Sequence, residues 1–235
     1  MKRKSWRMWL RTAAVLLAAA AVLEARPKWE KRLEAAAEVF YEIMEAPEQS
    51  IPQELLNRAE CVIVIPGAKK GAFIFGGKYG RGFVSCRKAS GIGWSAPAAV
   101  RIEGFNFGLQ AGGTETDLVM LVMNRRGMKR LLKSKFTIGG DAAAAAGPVG
   151  RTLAAGTDAL FTAEILSWSR SRGVFAGIAL DGATLREDRR VNERLYGRAY
   201  SNRQILESDL QIPEAARRFV SLLNRYSSRK GRGSS

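Results

Sequence analysis

Four cations stand in the glycine-rich joints of one stretch, VIVIPGAKKGAFIFGGKYGRGF, and they are the residues best placed to bind something. They are Lys69, Lys70, Lys78 and Arg81. An ammonium or guanidinium beside a glycine turn lies next to exposed backbone N–H groups, an arrangement that suits an anion. The same residues also suit ordinary soluble turns between strands. A second group, Lys129, Arg130 and Lys133, belongs to the run RRGMKRLLKSK, the densest basic cluster of the folded part. It reads either as a solvated helix face or as a membrane-facing patch. Arg87 and Lys88 are weaker candidates of the same kind.

Bond-making chemistry has little to draw on. The 235 residues contain no histidine, which removes the usual general base near neutral pH and the commonest metal ligand. Without it, Ser95 and the Ser167, Ser169, Ser171 series have no triad partner. The two cysteines, Cys61 and Cys86, cannot make a four-ligand zinc site. In an exported domain they could bridge neighbouring strands, but spacing alone does not give the Cα separation that a bridge needs. GGKYGRG at 76–82 lacks the spacing of a phosphate-binding loop, and no long helix follows it. Glu115 and Asp117 alternate before an apolar run. They read as the end of a hairpin, with cation binding or acid–base work as the alternative. No cofactor and no metal is expected.

The elements that must position these groups follow from pattern. Val62–Ile65, Ala72–Phe75 and Gly82–Ser85 are β-branched or aromatic runs bounded by glycine and proline, hence strands. Pro97 begins or edges another, and Phe105, Phe107 and Leu109 alternate with polar residues, which buries one face. Leu118–Met123 is wholly apolar and belongs at the centre of a sheet. A short helix follows over Gly127–Ser134. FTIGGDAAAAAGPVG, 136–150, reads as a helix or loop packed tightly on the sheet. Ala159–Trp168 and Val174–Leu180 read as a long hairpin turning at Ser169–Gly173. Helices are expected over Pro27–Ala46, Ile51–Ala59, Arg186–Arg198 and Pro213–Tyr226. The first carries Glu34, Glu38, Glu42 and Glu45 along one face, so it reads as packed on the domain rather than inserted in anionic lipid. The fold class is α+β: a strongly bent, barrel-like antiparallel sheet with peripheral helices.

The blocks VIVIPGAKKGAFIFGGKYGRG, GWSAPAAV, GFNFGLQAGG, DLVMLVMN, AAAAAGPVGR, SRSRGVFAGIALDG and the Asn192, Tyr196, Gly197 segment, in that order from about Ala35 to Leu206, resemble the SYLF lipid-binding domain family. The resemblance implies a non-enzymatic module for acidic phospholipid, phosphoinositides in eukaryotic members, some of which also bind actin. It implies a bacterial exported member here, and it does not assign particular binding residues.

Charge agrees with an anionic partner. The net charge is +16, with +7 in residues 1–32, +4 in 224–235 and +5 between them. Such a balance favours a phospholipid surface, a nucleic acid or an acidic protein. Nucleic acid is disfavoured because basic and stacking aromatic residues are not interleaved. Residues 1–11 are basic and Thr12–Leu23 is apolar, a pattern of a signal peptide with a possible cut after Ala25, an earlier cut within Ala18–Ala21, or an uncleaved anchor. The expected organisation is therefore 1–25 as signal or anchor, 26–226 as one domain with an N-terminal helix, and 227–235 as a basic disordered tail. The expected place is the periplasm or a membrane surface. The expected function is binding of anionic phospholipid through the basic loops. The alternative is a structural or interaction protein of the cell envelope that holds a protein partner.

Overall fold

Two strands decide the architecture: β1 (Cys61–Lys70) and β4 (Thr116–Val122), paired antiparallel with Cys61 opposite Val122 and Ala68 opposite Thr116. Their side chains alternate between two separate apolar cores. Val62, Val64, Val119 and Leu121 enter one, while Ile63, Ile65, Leu118 and Met120 enter the other. A strand dry on both faces needs an unbroken apolar run, which is what the sequence supplies. The computed structural model describes residues 26–70, 78–105, 115–150, 162–171 and 173–227.

The remaining strands extend this pair on both sides. They are β2 (Lys78–Cys86), β3 (Ala98–Phe105), β5 (Lys135–Thr137), β6 (Ala144–Ala146), β7 (Ile165–Ser171), β8 (Val174–Gly177) and β9 (Thr184–Glu187). Among the described residues the order is β5-β9-β3-β2-β1-β4-β7-β6, with β8 also on β7, and the sheet curls into a half-barrel. All pairs are antiparallel except β6 with β7. The helices are α1 (Lys28–Glu45), α2 (Gln53–Arg58), α3 (Arg125–Leu131), α4 (Arg189–Tyr196), α5 (Asn202–Glu207) and α6 (Arg217–Tyr226). Leu33, Phe40 and Ile43 of α1 pack with Phe219 and Leu223 of α6 on the outer face. Leu131 and Leu132 join Phe136, Leu185 and Ile205 on the inner one.

The α+β expectation and the central place of β4 hold. Several local readings are corrected. The alanine run is neither helix nor loop at Ala144–Ala146 but a short edge strand. The close approach falls just after it, where a Cβ on Gly147 would lie 2.1 Å from the Trp168 ring. Ser169–Ser171 is strand, not turn, so the β7–β8 hairpin turns only after Ser171. Arg186 belongs to β9 rather than to the helix after it, which is capped by Asp188. Ser227 is buried and bonded, so it is not part of a loose tail. The expected strand Ala72–Phe75, the alternation at Phe107 and Leu109, the 1–25 segment and the rest of the tail lie outside the described residues. No helix among the described residues is long and apolar enough to cross a membrane.

Glutamates of α1 make packing contacts. Glu34 and Glu38 hold Arg218 of α6, Glu42 holds Arg170 of β7, and Glu45 accepts from the Tyr226 hydroxyl. The Asn192, Tyr196, Gly197 segment is likewise architectural. Asn192 Oδ1 accepts from the Ala99 N–H at 2.7 Å and its amide donates to Asn202. The Tyr196 hydroxyl donates to the Pro97 carbonyl at 2.6 Å. Gly197 ends α4 at φ 67°, a left-handed conformation that side chains resist.

Two ties close the chain. Cys61 and Cys86 sit directly opposite each other on β1 and β2 and are joined by a disulfide, which settles the pairing that sequence left open. Arg87, the next residue, is buried with its face over Trp94 at 3.9 Å. Its nitrogens donate to the carbonyls of Ala59 and Leu56, each at 3.3 Å, and to Ser227. One guanidinium thus fastens the ends of α2 and α6 to the sheet.

Closing a 25-residue separation removes chain entropy from the unfolded state, worth about 3 kcal/mol. Denaturant unfolding of Cys61→Ser/Cys86→Ser should show that loss, and the parent protein in reductant should match it. Arg87→Met should cost about 3 kcal/mol because buried carbonyls lose their donors. Lys88→Met breaks only an exposed pair with Asp209 and should stay within about 0.5 kcal/mol.

A candidate anion-binding surface

The seven cations singled out by sequence divide among three places. Lys69, Lys70 and Lys78 lie at the far end of β1 and β2, with Lys70 opposite Lys78 and Lys69 opposite Tyr79. Lys129, Arg130 and Lys133 lie at the other end, because α3 starts just after the β4 residue that faces Cys61. Seven residues separate Cys61 from Ala68, so roughly 23 Å divides the two ends. A single patch of all seven does not exist.

At the far end Lys69 is committed. Its ammonium lies 2.6 Å from Glu115, whose hydrogen bond holds the lysine pKa above its ordinary value. Asp117, the other half of the acidic pair, accepts from the Gly67 N–H at 2.8 Å and pairs with Arg170 at 2.7 Å. Both carboxylates brace strand ends. Arg170 is itself spent between Asp117 and Glu42.

Around α3 the balance is different. Asn124 caps the helix by accepting from the Gly127 N–H at 2.8 Å. Gly127 lets the helix approach, since a Cβ there would lie 2.9 Å from Val122. The apolar side of α3 then faces the inner core, and Arg125, Arg126, Lys129, Arg130 and Lys133 line one shallow pocket. Arg130 is held by Glu164 at 2.6 Å, and Arg126 is 3.8 Å from the same carboxylate. Among the described residues Lys129 and Lys133 are exposed with no acidic partner. Arg126 and Arg130 share the buried Glu164, while Arg125 and Lys129 also border a cavity of about 420 Å³ lined by Glu60, Glu207 and Asp209, and basic groups remain in excess on this face.

Arg81 belongs to a third place, and sequence reasoning missed its companions. It shares a strand face with Phe83, hence points to the outer side. Register then makes a row: Arg81 faces Arg101, Arg101 faces Arg186, and Arg186 faces Lys135, across β2, β3, β9 and β5. Arg189 and Arg190, at the start of α4, complete a cleft of about 520 Å³. The carboxylates present are Asp188, 3.6 Å from Arg81, Glu187, paired with Arg189, and Glu103, which faces both Arg101 and Arg186. Arg32 of α1 borders this group; burial and then the charge of Arg81 push its pKa down. The sequence signal for the row was faint: basic and acidic residues two apart in Arg101, Glu103 and again in Arg186, Asp188, which only mutual register turns into a line.

Lys133 and Lys135 are two residues apart, so the α3 face and the row adjoin. Of the weaker candidates, Arg87 is structural and Lys88 is paired with Asp209 at 2.7 Å. Among the described residues no group of three or more acidic, cysteine or histidine side chains could hold a metal ion.

A family model described as Ysc84, Las17-binding protein actin regulator, matches residues 103–226, which takes in β4 to β9, all of α3, and α4 to α6, and begins after Arg81 and Arg101 of the row. The chain is 33% identical over 180 residues to the SH3 domain-containing protein PJ696.02 of Schizosaccharomyces pombe, covering 75% of this chain and 41% of that protein. It is 31% identical over 172 residues to Protein YSC84 of Saccharomyces cerevisiae, covering 72% and 36% respectively. It is 32% identical over 185 residues to the SH3 domain-containing YSC84-like protein 1 of Xenopus laevis, covering 77% and 54%. The chain thus spans between about a third and a half of the length of these relatives. With the family model matching more than half of its residues and relatives 31–33% identical over more than two thirds of it, this chain belongs to the Ysc84, or SYLF, domain family.

Proposed function

We propose that this chain is a non-enzymatic module that attaches to anionic phospholipid, with α3 as the face that meets the membrane. The observation that carries the reading is the imbalance on that helix: Arg125, Arg126, Lys129, Arg130 and Lys133 against the single buried Glu164. Cations whose charge is already spent, such as Lys69 on Glu115, add little to a surface interaction. Lys129 and Lys133 have no such partner among the described residues, and a free cation near an anionic leaflet is worth about 1 kcal/mol. The helix is short and its apolar side is used by the inner core, so attraction is electrostatic and reversible rather than insertional. The description of the matched family, a binding protein and actin regulator, fits a binding module.

A place outside the reducing cytosol, in the periplasm or on a membrane, goes with this proposal. The Cys61–Cys86 disulfide supports it, since such bonds persist where thiols are not kept reduced. A second reading is favoured by one specific observation: a relative carries the name LAS seventeen-binding protein 3, so a protein partner is a reasonable occupant of the same basic face. One stoichiometric partner retained after lipid is stripped would favour that reading.

The chain beginning at Arg26 should float with vesicles containing phosphatidylserine and stay behind with pure phosphatidylcholine. Arg125→Gln/Lys129→Gln/Lys133→Gln should weaken flotation by about 100-fold, from three cations at about 1 kcal/mol each. Raising salt should weaken the parent in the same direction, because exposed charges are screened. Equal binding to both vesicle types, or an unchanged triple variant, sinks the proposal.

A further inference from the structure

A row of like charges across a sheet is an arrangement that folding alone disfavours. Direct cross-strand neighbours of one sign repel. Yet Arg81, Arg101, Arg186 and Lys135 stand in unbroken register over four adjacent strands. Neighbouring strands are about 4.8 Å apart, so the row extends for about 14 Å. The carboxylates nearby do not satisfy it. Glu103 is divided between two arginines, with the Nε atoms of Arg101 and Arg186 at 3.3 and 3.2 Å. Both Nε atoms are buried and neither makes a hydrogen bond to it. Asp188 Oδ2, buried beside Arg81 at 3.6 Å, makes none either. Asp188 is also the cap of α4 and Glu187 receives the Asn202 N–H, so both acids have structural work. Among the described residues Lys135 and Arg190 have no acidic partner at all. The cleft over the row, with the Ser134 hydroxyl at its margin, is open and of about 520 Å³.

We infer that Arg81, Arg101, Arg186 and Lys135 form a binding site for a compact anion that carries two or more phosphate groups. A single monovalent anion would neutralise one member and leave the others facing each other. Two phosphates about one or two strand spacings apart would lie against successive guanidinium groups, whose planar forks match phosphate oxygens. The buried Nε donors would gain acceptors, and the repulsion along the row would be relieved. The phosphates could belong to a lipid headgroup or to a soluble phosphate ester; the chemistry recognised is the same. For the headgroup case the inference rests on the membrane reading above and adds to it a site of selection. The face of α3 supplies general attraction, and the row, which adjoins it through Lys133 and Lys135, reads the phosphates.

The test is a calorimetric titration of the full chain with sodium tripolyphosphate at physiological ionic strength, beside the same titration with sulfate. Tripolyphosphate should bind saturably and sulfate at least about tenfold more weakly. Arg101→Gln/Arg186→Gln should weaken tripolyphosphate at least about tenfold, while Lys88→Met/Arg217→Gln, which removes the same charge from exposed pairs outside both surfaces, should stay within about twofold. Should the double row variant fail to fold, Arg186→Gln alone should still weaken binding several-fold. No saturable binding by the parent, unchanged affinity in a folded row variant, or an equal loss in the Lys88→Met/Arg217→Gln variant each overturns the inference. Vesicles matched for total charge, one set with phosphatidylserine and one with phosphatidylinositol bisphosphate, separate the sources. A preference for the bisphosphate that disappears in the row variant identifies a headgroup. Intact tripolyphosphate binding with no vesicle preference identifies a soluble ester. A preference that survives the row variant counts against the site. Phosphatidylserine vesicles alone report on α3, so attraction to them can persist when the row fails, and the reverse.

Discussion

The structure depends on one constraint: the central strands are dry on both faces. Ile63 and Val64, neighbours on β1, are each fully buried in different cores, and Leu118 and Val119 repeat the pattern on β4. Fully burying a side chain of this size contributes about 1.5–3 kcal/mol relative to leaving it exposed. No charge can be admitted there without a partner, because desolvation would cost more than the strand gains. The cations of this basic chain are therefore displaced to strand ends, to the outer strands β3, β9 and β5, and to the helix that links β4 with β5. The distribution of positive charge is a consequence of where the sheet must stay apolar.

The charges that do approach the interior illustrate the cost. Arg87 enters only with three carbonyl-bearing segments and an aromatic face to receive it. Arg170 enters between Asp117 and Glu42 and over Phe175. Glu164 is buried, but under Arg130 and Arg126. Each is a solved problem, and each holds two elements together that the sheet alone would not. Against that standard the row from Arg81 to Lys135 stands out. The Nε donors of Arg101 and Arg186 are buried without a hydrogen bond, sharing only the charge of Glu103, and the members of the row face their own kind. Departures from local rules of this sort mark either a structural compromise or a place where something else completes the set.

How far the sequence discloses this depends on the length of the signal. Leu118–Val122 and the apolar positions of α1 and α6 are long periodic patterns, and the structure contains them at nearly the expected bounds. Short elements are different. Ala144–Ala146 has no β-branched residue and becomes a strand only because Ile165–Ser167 offers it an edge. Ser169–Ser171 looks like a turn because it is polar, but Arg170 is kept in the strand by two carboxylates from distant parts of the chain. The basic cluster of α3 is legible because its members are close in sequence. The row is not, since Arg81, Arg101, Lys135 and Arg186 are spread over more than a hundred residues and meet only through register. Arg87 misleads for the same reason in reverse: next to Lys88 it reads as one more surface cation, and nothing local reports the carbonyls that surround it.

The two basic surfaces differ in kind, and that difference decides what each can distinguish. Around α3 the ammonium groups are exposed, strongly hydrated and on flexible stems, so they respond to the potential of a surface and not to its composition. They would meet phosphatidylserine, an acidic protein or a phosphoinositide with similar force, falling off within about 8 Å at physiological salt. In the row, the arginines are fixed by strand register and by the acids that flank them, so their spacing cannot adapt to the ligand. Fixed donors reward one arrangement of acceptors and penalise others, because any donor left unmet stays desolvated. On the proposed reading, attraction and selection would fall to neighbouring but separate groups of residues. The half-barrel requires this division: the linker helix at its end can carry flexible charge at no cost to the core, while a line of arginines can be held straight only on the sheet itself.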